Sequence, residues 1–164
     1  MKNLMFIIVV LLCGNGVMAQ KHGQPVLITL QQVERILGEP ALTTLSGDTS
    51  NVEVYVSKSE FHARSLDHAS DKTGAFAYIY EDYNSESEAW KTYRGISLSN
   101  EKSPGFEKMN NFGDEAFYHS DGRNFYLIFA RKGNKILRMK VNKITSKTSL
   151  PEFRKVAQEL MLNF

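Results

Sequence analysis

The chain has one cysteine, four prolines and one tryptophan in 164 residues. The cysteine, Cys13, lies inside residues 1–19, so a chain that has lost those residues has no thiol at all. Disulfides, thiol catalysis and cysteine-bound metal would then be excluded, and stability must come from an ordinary core. No Asn-x-Ser/Thr acceptor occurs, and neither does a G-x-S-x-G, P-loop or G-x-G-x-x-G motif. Those absences remove the signatures of a hydrolase elbow and of phosphate-cradling loops. Charge of either sign is also scarce in excess. A net charge of +2 and a pI near 8.6 are too mild to point to nucleic acid. What remains, 42% hydrophobic and 23% charged residues, is the mixture of a globular domain.

Residues 1–19 carry the three parts of a secretory signal. Lys2 gives a positive start, Leu4–Leu12 is an unbroken apolar run, and Val17-Met18-Ala19 forms a small-residue cleavage site after Gly14-Asn15-Gly16. The run is shorter than the roughly 20 residues a membrane span needs. The expectation is cleavage after Ala19, a single domain over 20–164, and a secreted or periplasmic protein with no stable membrane span. A lipid anchor on Cys13 is the other reading, although Leu12 stands where a lipobox has a small residue.

Three segments open with an N-cap hydroxyl followed three residues later by Glu or Gln. Thr29…Gln32 precedes Leu30, Val33, Ile36 and Leu37, and Gly38 and Pro40 close that helix. Ser85…Glu88 precedes Ala89, Trp90, Tyr93 and Ile96. Ser149…Glu152 precedes Phe153, Val156, Ala157, Leu160 and Met161 at helical spacing. Between them, Val52/Val54/Val56 and Ala75–Tyr80 alternate as strands, and residues 115–142 read as a three-stranded meander turning at Ser120-Asp121-Gly122 and Gly133-Asn134. The order α-β-β-α-β-β-β-α predicts an α+β fold, an antiparallel sheet of about five strands with the helices on one face. Residues 57–74 and 98–112 are expected to be long connections, either of which could be a binding loop or a plain surface excursion.

The series Phe112-Gly113-Asp114-Glu115-Ala116-Phe117-Tyr118, Leu127–Asn134 and Ile136…Met139…Val141, with its closing helix, resembles the C-terminal half of small bacterial secreted and lipoprotein domains of unknown function. Extracellular sensor domains of bacterial serine/threonine kinases are related-looking, and the shape is similar to the PsbP-like fold. The resemblance implies fold and location, and it carries no catalytic residue. Many such domains hold a disulfide that this chain, without its first nineteen residues, cannot form.

Candidate chemistry is sparse. His62 and His68, with Asp67 and Asp71 nearby, could offer imidazole and carboxylate to zinc or copper, but their spacing is not a helical i, i+4 pair. Gln20-Lys21-His22 could chelate copper at a processed terminus unless Gln20 cyclises. Neither pattern outweighs ordinary exposed histidines, and no cofactor is expected. Asp114 and Glu115 are adjacent, so in a strand they face opposite sides and do not converge as an acid/base pair. From Gly122 to Pro151 there is no Asp or Glu, while Arg131, Arg138, Lys140 and five other cations occur there. Arg138 and Lys140 alternate with Leu137, Met139 and Val141 and so share the opposite face. The functional expectation is a non-catalytic envelope binding module. Its surface would combine Arg131, Arg138 and Lys140 with Phe106, Met109, His62 and His68 from the loops, and its partner would be an envelope protein or a small or anionic ligand. The alternatives are a structural or accessory subunit of an envelope complex, docking through Phe106, Met109 and Phe112, and a small envelope hydrolase with a site assembled from distant residues.

Overall fold

Each hydroxyl read as a helix cap is one. In the computed structural model, which describes residues 28–64 and 73–164, Thr29 and Gln32 form a reciprocal capping box on α1 (Leu30–Leu37), and Gly38 ends the helix at φ 71°. Ser85 accepts from the Glu88 amide to open α2 (Glu86–Asn100), and Ser149 accepts from Glu152 to open α3 (Leu150–Leu162). These hydroxyls satisfy amides that the first helical turn leaves unbonded. The signal-like segment with Cys13, the Gln20-Lys21-His22 terminus, and His68 with Asp67 and Asp71 lie outside the described residues.

The strands are β1 (Ala41–Ser50), β2 (Val54–Ala63), β3 (Ala75–Tyr83), β4 (Phe106–Met109), β5 (Glu115–Ser120), β6 (Tyr126–Lys132) and β7 (Lys135–Lys143). They form one antiparallel sheet in the order β1-β2-β3-β7-β6-β5-β4. The fold is α+β, with seven strands where about five were expected. The two additional strands are the edges. β1 buries only Ala41, so its side chains show no in/out alternation, and β4 has only four residues. The expected loops are correspondingly shorter. β2 continues to Ala63 with Ser57, Ser59, Phe61 and Ala63 buried, α2 continues to Asn100, and β4 occupies 106–109. Val52 is not in a strand; it stands 88% exposed in the β1–β2 turn.

The helices do not all cover one face. The main core joins Val33, Ile36 and Leu37 of α1 and Phe153, Val156 and Leu160 of α3 to Tyr78, Ile128 and Met139 of the sheet. A second core joins Ala89 and Tyr93 of α2 to Phe117, Phe129 and Ile136, the alternate residues of β5, β6 and β7. Successive strand residues point to opposite faces, so α2 lies on the face opposite α1 and α3. The reason is a second apolar cluster on β5–β7, Phe117, Phe129 and Ile136, on the face that also carries Arg131 and Arg138. Trp90, read as part of the buried stripe, lies on the flank of α2 and is 45% exposed. Tyr93 stacks on Phe129 with centroids 5.4 Å apart, and burial pushes its hydroxyl pKa up to about 12.

Candidate ligand-binding site

The residues expected to form a positive sheet face are engaged within the fold. Arg138 donates Nε and Nη2 to both carboxylate oxygens of Glu81 at 2.9–3.2 Å and lies 5.0 Å over the Phe129 ring. Burial raises the Glu81 pKa, and the Arg138 charge and hydrogen bonds pull it back down. Arg131 bonds Glu115 at 3.1 Å, Asp114 at 3.1 Å and the Gly133 carbonyl at 2.8 Å. Asp114 and Glu115 thus converge on one guanidinium, because Asp114 precedes β5 and is free of strand alternation. Lys147 pairs with Glu39 at 3.0 Å. Sequence reading missed these pairings because each partner comes from a distant segment. Lys140 remains exposed on that face, its Nζ 5.3 Å over Phe125.

The other expected site residues are dispersed. His62 is exposed in β2, next to edge strand β1. Phe106 is half-buried, 5.0 Å from Phe117. Met109 packs partly against the main core and Phe112 is buried within it, so these three form no exposed apolar patch. Met109 also lines a small depression of about 200 Å³ with Tyr93, Arg94 and Lys108, whose charge is held by Glu101 at 3.0 Å. The one Ser-x-x-Lys spacing, Ser99 and Lys102, lies at the end of α2, where the Ser99 hydroxyl donates to the Gly95 carbonyl at 2.9 Å. Among the described residues, no three His, Asp or Glu side chains form a metal-binding group.

A larger depression, about 550 Å³, opens on the α3 face beside β4, β5 and β6. Its lining includes Phe106, Glu107, Tyr118, Ser120, Tyr126 and Leu150. Local rules build it. Alternation in β5 turns Tyr118 to this face and Phe117 to the other. Gly105 brings β4 against the end of β5 at φ 80°, and a Cβ there would meet the Ser120 carbonyl oxygen at 1.8 Å. Asp121 accepts amide bonds from Arg123, Asn124 and Phe125, which fixes the β5–β6 turn and holds its carboxyl below the usual range. The Ser149 cap, whose amide donates to the Ile36 carbonyl at 2.8 Å, seats Leu150 at the rim.

The lining is apolar with little net charge. The Tyr118 and Tyr126 rings are 6.2 Å apart, and Tyr126 is 6.0 Å from Phe153 behind it. Arg154 lies 4.4 Å over the Tyr118 ring and donates to Glu107 at 2.8 Å. That hydrogen bond lowers the Glu107 pKa, while burial raises that of Tyr118. The acid and the cation of this groove therefore neutralise each other. The sequence signal that could have found it is the Tyr118…Tyr126 pair flanking a tight turn. No family model, curated protein or solved structure matches the chain.

Proposed function

We propose that this protein is a non-catalytic secreted or periplasmic binding module of the bacterial envelope, and that its ligand seat is the Tyr118–Tyr126 groove. The observation that carries the reading is an open, aromatic-lined depression of about 550 Å³ whose one acid, Glu107, is already bound by Arg154. Concave apolar walls with a few polar groups at the rim suit ligand binding. A carboxylate kept ionised by an arginine is poorly suited to donating a proton at neutral pH. The signal-like residues 1–19 support export.

The groove favours an uncharged ligand with a flat apolar face, such as a saccharide ring, over the anionic ligand that the local run of cations suggested. Tyrosine rings stack on such faces, and Glu107, Arg154 and the tyrosine hydroxyls can bond hydroxyl groups. The test is an amide NMR titration with a panel of neutral saccharides and one sulfated glycan. Neutral ligands are expected to shift Ser120, Gly122 and Leu150, and Tyr126→Ala is expected to weaken binding at least tenfold. Shifts confined to Lys140 and Lys143, or none in the groove, would overturn the assignment.

A further inference from the structure

The two edges of the sheet are built differently. β4 is short, and its charged residues are tied down: Glu107 to Arg154 at 2.8 Å and Lys108 to Glu101 at 3.0 Å. Short, charged strands are how proteins discourage edge-to-edge pairing. β1 is ten residues long, Ala-Leu-Thr-Thr-Leu-Ser-Gly-Asp-Thr-Ser, with no Lys, Arg or Pro. Nine of its residues are exposed, among them Leu42 at 51% and Leu45 at 45%. Among the described residues, no strand lies on its outer side.

The register shows which backbone groups are available. The Asn51 amide donates to the Val54 carbonyl at 3.1 Å, and Thr49, Gly47 and Leu45 pair with Val56, Lys58 and Glu60 in the same ladder. Antiparallel bonding alternates along a strand. The N–H and C=O groups of Ser46, Asp48 and Ser50 therefore point away from β2. A bulge between Thr43 and Leu45 limits the regular run to Leu45–Ser50.

We propose that β1 pairs with β1 of a second copy about a two-fold axis at Gly47, joining two sheets into one. A second copy fits better than an unrelated peptide because it brings the same preformed edge and has no strand to order on binding. Charge and shape choose the axis. Centring on Asp48 would set two carboxylates directly opposite, which is unfavourable. Centring on Gly47 sets Ser46 against Asp48 of the other copy and Leu45 against Thr49, so both exposed Leu45 side chains gain cover. Gly47 has nothing within 4 Å of a Cβ position, so a side chain placed there would stand in open space over the sheet face. This pairing is independent of the groove, which lies at the other end of the sheet.

The test is light scattering after size exclusion across a wide concentration range, on the full exported chain and two variants. Ser46→Pro removes an outward amide that β2 does not use, a position where an edge strand tolerates proline. Gly47→Lys places a charge on the axis in open space. The wild type is expected to show twice the monomer mass at high concentration, and both variants the monomer mass with an unchanged circular dichroism spectrum. A wild type that stays monomeric, or a dimer that survives in both folded variants, would overturn the proposal. So would Ser46 and Asp48 amides that gain exchange protection only when another protein is added.

Discussion

Phe117→Ala is expected to destabilise the fold by about 3–5 kcal/mol, the range for removing a buried phenylalanine. Phe117 is fully buried in the smaller core, 5.0 Å from Phe106, 5.5 Å from Phe129 and 6.2 Å from Tyr93. That core is narrow: α2 buries only Ala89 and Tyr93. The cavity left by alanine has few neighbours able to move in, so most of the lost contact energy goes unrecovered. Urea unfolding monitored by circular dichroism measures the cost. The same variant should loosen the groove, because Tyr118 follows Phe117 on β5 and β4 is held to β5 partly through the Phe106–Phe117 contact. A loss below about 1 kcal/mol would mean that α2 contributes little to holding this half of the sheet.

The second large effect is electrostatic. Arg138→Met is expected to cost about 3 kcal/mol at neutral pH, the low end for breaking a buried pair, because the Arg138 side chain is still 30% accessible. Glu81, 11% accessible, would be left charged without its partner. Its dependence on pH has a definite sign. Burial already raises the folded-state pKa of Glu81, so protonation favours the folded protein and stability rises as pH falls through that raised value. Removing Arg138 takes away the two influences that lower the pKa and moves it further up. The deficit of the variant should therefore shrink on acidification from pH 7 toward pH 5. The double variant Glu81→Gln/Arg138→Met should recover most of the loss. A deficit that is equal at both pH values would point to lost packing over Phe129 rather than to the stranded carboxylate.

Elements with a buried side and a capped start were legible in the sequence. The α3 stripe Phe153, Val156, Ala157, Leu160, Met161 is buried throughout, and β5, β6 and β7 end within a residue or two of their expected turns. β1 was not legible because a pattern of burial needs a buried face. An edge strand of Thr, Ser, Gly and Asp has the composition of a loop. The Ser57–Ala63 half of β2 was hidden for a different reason. Its inward positions 57 and 59 are serines, and a buried serine does not register in a search for alternating apolar residues. The side on which α2 packs follows from Phe117, Phe129 and Ile136 together, three residues from three strands that no local window compares.

The charged surface misled for a related reason. The acid-free stretch Gly122–Pro151 looks basic along the chain, yet Arg131 and Arg138 meet Glu115 and Glu81 across the sheet, and Lys147 meets Glu39. Local charge density is a property of sequence, whereas the field outside the molecule depends on pairing in space. The groove emerged from the same long-range geometry, with Tyr118 and Tyr126 from two strands, Glu107 from a third and Leu150 and Arg154 from α3.

The most direct test of the Tyr118–Tyr126 groove as a ligand seat is native mass spectrometry of the protein purified from its native source, with no ligand added. The expected result is a mature chain beginning at Gln20 that retains an uncharged small molecule, and a Tyr126→Ala chain that is folded but bare. A bare wild-type chain, or a retained molecule unaffected by Tyr126→Ala, would contradict the Tyr118–Tyr126 groove as the ligand seat.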